Sequence, residues 1–339
     1  MPTDIPPTED VIRSMPKAEV HVHLEGCFEV TDLVSLAQEG EEHLPVPAEL
    51  LEFRDLASFL DVLDLACGLV RTSEQLARAA YRFAEREASS GVVYADLIVN
   101  PSHWSAWRDN LSGFLDAIDG GLREAEQDGL ARTGLCVSLL RHQSAAQAVE
   151  LVDWLIARRH PRVVALSIDG NEATAGRTGP RFADAFGKAA RAGIHRTVHA
   201  GESSGPDGIR DAIHLLLAER IDHGVRAVED PVLVKELADG AIPLGICPGS
   251  NIAFGLYADR TTHPVEALRR AGVPVSVNTD DPSFLRTSLV AEYAKTAEAH
   301  GWDLETVRSV ARTAIEASFG PEELRHGLLR RLDGWQPPP

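Results

Sequence analysis

His21 and His23 stand one residue apart inside EVHVHL (19–24), a β-branched run that predicts a strand. Side chains alternate faces along a strand, so imidazoles at this spacing point the same way and make half of a metal site. Three further polar clusters close later apolar runs: Val198-His199-Ala200-Gly201-Glu202, Asp222-His223-Gly224 and Asn278-Thr279-Asp280-Asp281-Pro282. Each alone has an ordinary structural explanation, such as a capping His, a paired Glu or an Asp-Asp-Pro helix start. Their conjunction does not, because polar clusters gathered at one end of a fold are costly to desolvate without a ligand. Nitrogen-rich ligation with one carboxylate suits zinc, with iron, cobalt or manganese as alternatives. An ion that keeps an open position lowers the pKa of water toward neutrality, which is the chemistry of hydrolysis.

Such residues need a scaffold that brings strand ends together. Candidate strands fall at 19–24, 92–99, 133–139, 162–168, 195–200, 220–223, 242–247 and 273–279. Amphipathic stretches at 73–90, 111–128, 144–159, 180–192, 207–218, 230–239 and 263–271 lie between them, and Ser73, Ser144 and Asp230 are placed to cap three of these helices. Strand–helix alternation reads as a parallel sheet. Eight units in 339 residues favour a closed α/β structure, a (β/α)8 TIM barrel, over an open doubly wound sheet. The interval 25–91 must hold extra helices after strand 1. No repeat, low-complexity linker or composition break divides the chain, so a single barrel domain over 1–339 is expected. In such barrels the site lies at the C-terminal ends of the strands, where these clusters fall.

Composition narrows the partners. Asp+Glu 51 against Lys+Arg 33 gives a formal net charge of -18. An acidic surface repels phosphate backbones and anionic lipid, so neither nucleic acid nor membrane is an expected partner. No apolar stretch reaches the ~20 residues needed to span a bilayer, and the first residues lack the pattern of a secretory signal. A cytoplasmic location is the expectation. Cys27, Cys67, Cys136 and Cys247 show no C-x-x-C spacing and read as buried, reduced thiols.

The ordered set Met15–Gly26 (MPKAEVHVHLEG), Val198–Glu202 (VHAGE), Arg220–Gly224 (RIDHG), Cys247–Asn251 (CPGSN) and Asn278–Pro282 (NTDDP) resembles the motifs of the adenosine deaminase family, from about residue 11 to about 320. The resemblance implies a metal-dependent hydrolase that replaces the 6-amino group of a purine by oxygen, releasing ammonia. It implies one zinc per chain, with His21, His23, His199 and Asp280 as ligands. It makes Glu202 the proton donor to purine N1, His223 the residue that orients and supports the attacking hydroxide, and Asp280 a relay for the proton lost from water. It makes Asp281 the hydrogen-bond acceptor for purine N7 and Gly170 the backbone donor to N3, with His23 also beside the substrate. Chemistry agrees: an aminopurine is a poor electrophile, and protonating N1 during attack at C6 avoids unsupported negative charge. Glu202 must then begin protonated, which an apolar covered pocket favours.

Three departures bear on the substrate. Glu25 stands where classical family members carry Asp; Glu is usual in relatives acting on free adenine or on other nucleosides. Ser-Ile-Asp-Gly-Asn-Glu (167–172) replaces Asp-Leu-Ala-Gly-Asp-Glu, and Gly249 replaces a larger residue. A small-molecule purine nucleoside or nucleobase is therefore the expected partner. Adenosine or 2′-deoxyadenosine leads; free adenine and a modified nucleoside such as 6-amino-6-deoxyfutalosine are the alternatives. AMP ranks lower, because a phosphate asks for a basic cluster. A binuclear amidohydrolase would carry a lysine on strand 4, which RVVALSI lacks, and a non-catalytic relative would have lost a ligand. Trp104, Trp107 and His103 either cover the pocket or pack; His195, His214 and His263 read as structural, His263 as a cap before proline. Oligomeric state is left open.

Overall fold

The structure, a computed structural model, describes residues 7–41, 53 and 56–338. Its strands are β1 (Lys17–His23), β2 (Val92–Val99), β3 (Arg132–Leu140), β4 (Val163–Asp169), β5 (His195–Ala200), β6 (Arg220–His223), β7 (Leu244–Ile246) and β8 (Val275–Val277). They form one sheet in chain order, and every pair is parallel. The helices are α1 (Glu9–Ser14), α2 (Val30–Glu39), α3 (Leu56–Gly68), α4 (Ser73–Ser89), α5 (Leu111–Gln127), α6 (Ala145–Arg158), α7 (Glu172–Ala175) and α8 (Gly179–Arg191). They continue with α9 (Pro206–His214), α10 (Pro231–Asp239), α11 (Pro248–Ala253), α12 (Val265–Arg270), α13 (Leu289–His300), α14 (Leu304–Ala317) and α15 (Glu322–Gly334). This is the expected (β/α)8 barrel, with α2, α3 and α4 between β1 and β2.

The ring closes through the same residues that carry the chemistry. A parallel bridge joins Val22 to Asp280. The His23 N–H donates to the Asp280 carbonyl at 2.8 Å, and the Asp280 N–H to the His21 carbonyl at 3.2 Å. Asn278 Oδ1 accepts from the Val20 N–H at 3.0 Å. Closure therefore sets the position of Asp280 against the two histidines of β1.

Departures from the sequence-based boundaries have local causes. β7 and β8 start two residues later than 242–247 and 273–279 because Pro243 and Pro274 have no N–H to give to the ladder. Thr72, not Ser73, caps α4: its side chain accepts from Gln75 N–H in a capping box. Ser144 and Asp230 cap α6 and α10 as expected. The helix expected over 207–218 ends at His214, and Leu217 turns back at φ 54°. α14 packs on both β1 and β8, covering the closure from outside.

Apolar residues from Ile12 to Leu332 form one buried cluster spanning the ring of helices. All four cysteines are buried and free, and burial raises each thiol well above its usual range. Among the described residues, no helix is long and apolar enough to cross a membrane.

Candidate active site

Parallel strands deliver their last residues to one rim. His21 and His23 come from the end of β1, His199 from β5, His223 from β6 and Asp280 from just beyond β8. Both His223 and Asp280 hold left-handed backbone (φ 64° and 68°), a conformation that costs a non-glycine residue energy and clusters at functional sites.

Four side chains meet at one point. His21 Nε2 and His23 Nε2 lie 3.1 and 3.0 Å from His199 Nε2. Asp280 Oδ1 lies 3.2 Å from His21 Nε2 and 3.4 Å from His23 Nε2. Tetrahedral ligation at about 2.0–2.1 Å places ligand atoms about 3.3 Å apart, so these separations fit a single small divalent cation. The outer nitrogens agree. His21 Nδ1 is 2.9 Å from the Gly245 carbonyl, which fixes its proton there and frees Nε2 as a lone pair. His199 Nδ1 is 3.6 Å from Asp222 Oδ2, and His23 Nδ1 is 4.0 Å from Asp169 Oδ2. Burial disfavours charge on His21, yet Asp222 and Asp280 outweigh it and lift this imidazole to about 9: the field asks for positive charge. Burial and then His21 hold His199 well below its usual range, as a ligand. The residues present fit a divalent metal.

Glu202 sits beside this cluster, with Oε1 3.5 Å from His223 Nε2. Burial, then Asp280 and Glu172, push its carboxyl up to about 8. Burial and His21 press His223 down to about 3, so it stands neutral. Burial works against ionisation of Asp280, but His21 leads the neighbours that hold it well below the usual range. Ser250 Oγ–H donates to Asp280 Oδ2 at 2.6 Å. The site thus pairs a proton-bearing carboxyl with an ionised one, the arrangement that separates acid from base.

The remaining expected residues join the same cavity, about 490 Å³, which holds His23, Glu25, Gly170 and Asp281 in its wall. Glu25 lies in the 3₁₀ turn after β1. Its Oε1 accepts from the Asn100 N–H and from Trp104 Nε1–H, each at 2.7 Å, while Oε2 has no partner among the described residues. Burial raises this carboxyl despite those donors. Asp281 packs against Gly26 so closely that a Cβ there would lie 2.1 Å from Asp281 Oδ1. Gly170 turns at φ +95°, which a side chain would strain. Leu56, Phe59, Leu60 and Leu63 of α3 form the apolar wall. The two tryptophans do not line this cavity: Trp104 is fully buried behind Glu25, and Trp107 donates to the Val70 carbonyl. His103 does line it, with Nδ1 2.6 Å from Asp64 Oδ1. His195 pairs with Glu219 and stacks on Phe319, and His214 pairs with Glu236, both away from the site.

Several supporting residues escaped sequence reasoning. Glu172 is buried and accepts from the N–H groups of Gly201, Glu202 and Ser204 at 3.0–3.1 Å, so it shapes the loop that carries Glu202. Only its place in the 167–172 stretch hinted at this. Arg141, buried, donates to the carbonyls of His199 and Gly170 and to Thr178 Oγ1. Asn100 Nδ2–H donates to Asp169 Oδ1 at 2.6 Å. Neither Arg141 nor Asn100 stood in a motif that singled it out.

The family model described as adenosine deaminase matches residues 16–335. An adenine deaminase of Rhizobium leguminosarum bv. trifolii is 36% identical over 320 residues, covering 93% of this chain and 98% of its own. The crystal structure of an adenine deaminase from Arthrobacter aurescens superposes with a TM-score of 0.89 at 28% identity, over 95% of this chain and 99% of that one. An amidohydrolase from Burkholderia ambifaria with bound zinc gives 0.87 at 25% identity, over 96% and 92%. An N6-methyl-AMP deaminase from Arabidopsis thaliana gives 0.84 at 27% identity, over 96% and 98%.

Proposed function

From the premise that the chain belongs to the adenosine deaminase family, and is thus a deaminase acting on a carbon–nitrogen bond, we propose that it hydrolyses free adenine to hypoxanthine and ammonia. The nucleoside favoured on sequence grounds gives way to the base. One observation carries this: the unpartnered Oε2 of Glu25 in the cavity wall. Free adenine has an N9–H to donate there, and a nucleoside has none. That contact also favours the ionised carboxylate that burial disfavours. Among the described residues, the cavity wall bears five acidic side chains, Glu25, Asp169, Glu202, Asp280 and Asp281, and no Lys or Arg. These carboxylates would repel a nucleotide phosphate. The names carried by the rhizobial and Arthrobacter relatives point the same way.

One zinc ion held by His21, His23, His199 and Asp280 would supply Lewis acidity and make water a nucleophile at neutral pH. The chain's own groups do the rest. Glu202 carries its proton to N1 and so makes C6 electrophilic. His223 faces the reacting oxygen from Nε2. Asp280, ionised, accepts the proton lost from water and passes it toward the departing amine. N7 of adenine offers a lone pair, so Asp281 must donate to it rather than accept. Burial and then Asp280 raise the Asp281 carboxyl well above its usual range, which leaves it the proton to give. Gly170 offers its N–H to N3, and the α3 leucines with Phe59 cover the ring and exclude water.

The experiment is ammonia release from zinc-loaded protein with adenine, adenosine, 2′-deoxyadenosine, 6-amino-6-deoxyfutalosine and AMP. Adenine should lead by about a hundredfold or more in kcat/KM; a lead by any nucleoside would overturn the assignment. In Glu25→Gln, Oε1 stays with the donors Asn100 and Trp104, so an N–H group replaces Oε2 and opposes N9–H. Its kcat/KM for adenine should fall about tenfold to a hundredfold.

A further inference from the structure

His263 Nδ1 accepts from the backbone N–H of Val265 at 3.2 Å. That amide can only donate, so Nδ1 carries no proton and the ring proton sits on Nε2. His263 Nε2 lies 3.1 Å from Asn251 Oδ1, so the ring donates to the amide oxygen. The amide nitrogen of Asn251 then faces His223 Nδ1 at 3.3 Å. An amide N–H donates, so His223 Nδ1 accepts, and its proton is forced onto Nε2. The Nε2–H of His223 is aimed at Glu202 Oε1, 3.5 Å away, and Asp280 Oδ2, 3.8 Å away. All three relay side chains are buried (3%, 0% and 1% exposed for His263, Asn251 and His223), so water does not compete for these groups. The ring of Tyr257, edge-on at 4.9 Å, holds His263 in place.

We propose that Asn251 and His263 are positioning residues that lock His223 in its Nε2–H tautomer, so that His223 acts as a hydrogen-bond donor to the reacting oxygen and not as a base. The polarity runs one way because a backbone amide at the start of α12 anchors it. It divides labour in the site: with His223 unable to accept at Nε2, removal of the proton from water falls to Asp280. This rests on the deaminase role proposed for His223. The anchoring geometry is a property of the resting protein and does not depend on which purine is the substrate.

The test has a spectroscopic arm and a kinetic arm. In zinc-loaded protein with 15N-labelled histidine and no substrate, long-range 1H–15N correlation reads the ring tautomer of His223, assigned by the signal missing in His223→Gln. The expected pattern is a neutral ring protonated at Nε2; a ring protonated at Nδ1, or an imidazolium, overturns the proposal. Asn251→Asp keeps the shape but offers two acceptors, so His223 must place a proton on Nδ1. Its kcat should fall about a hundredfold or more, with KM within about threefold, as a wrong-tautomer histidine does elsewhere; wild-type kcat would overturn the proposal. His263→Leu removes the anchor and should lower kcat about tenfold, whereas His263→Gln keeps a donor toward Asn251 and should recover most of it. Equal kcat in these two variants would also overturn it. If Asn251→Asp does not fold, the wild-type spectrum and the His263 pair still decide. Failure of the adenine assignment alone would leave the Nε2–H spectrum unchanged.

Discussion

The two ends of the barrel both bury charge, and they treat it in opposite ways. At the N-terminal end, Arg220 donates to Asp96 Oδ2 at 2.7 Å and to the Ala317 carbonyl at 3.0 Å, lies 3.3 Å from Asp222 Oδ1, and stacks 4.3 Å over Phe319. Asp96 also accepts from Tyr94 and from the Phe319 N–H. Opposite charges there answer one another within the protein. At the C-terminal end, three imidazole nitrogens and a carboxylate oxygen converge. Among the described residues no Lys or Arg side chain joins them, and the field lifts His21 to about 9. One end is closed on itself and serves stability; the other has the geometry to hold a cation. Asp222 joins them, with Oδ1 toward Arg220 and Oδ2 toward Thr197 and His199.

The sharpest way to break that contrast is to remove a ligand. Asp280→Ala should lose bound metal and lower turnover by about 10⁴-fold or more, read by metal analysis and ammonia release; full metal occupancy would take Asp280 out of the ligand set. Glu202→Gln should keep the metal and lose about 10²–10⁴-fold in kcat, and an active variant would sink its role as donor to N1. Arg220→Met tests the other end. It strands Asp96 and Asp222 and should cost about 3–5 kcal/mol in denaturant unfolding, with metal per folded molecule unchanged. A loss of metal without a loss of stability would mean that the two ends are not separate in kind. The smallest effect is in pH. Glu202 must be protonated to act, and its pKa is raised, so activity is full below that pKa and lost as pH rises through it. The alkaline limb of kcat/KM should have a midpoint no higher than about 8, since a bound cation favours the carboxylate. An activity that is flat through this range would show that another group donates the proton.

The reactive end was the more legible one. His21 and His23 declare a shared face by their spacing, and the ordered motifs tied His199, Glu202, His223 and Asp280 to them. Strand ends were legible because parallel strands are apolar runs bounded by polar residues. β7 and β8 were overestimated because hydrophobicity outlasts the ladder when proline withholds an N–H. The N-terminal network was opaque: Asp96, Arg220 and Phe319 are distant in sequence, and no local pattern couples them. Glu172, Arg141 and Asn100 were opaque for the same reason, since each acts by holding backbone from another strand's loop. His263 shows both sides. Its cap to Val265 follows from its place before proline, while its contact with Asn251 depends on two loops that only the barrel brings together.

The sequence by itself determined the parallel alternation, the end of the barrel where the candidate site gathers, and the types of group found there, because these follow from period, order and residue chemistry. Only the tertiary structure decided which nitrogen of each histidine is free, which carboxyl is pushed toward keeping its proton, and that Glu25 keeps a buried oxygen without a partner among the described residues. Protonation and tautomer are set by burial and by neighbours that folding brings together across the ring, and neither is a property of the chain read along its length.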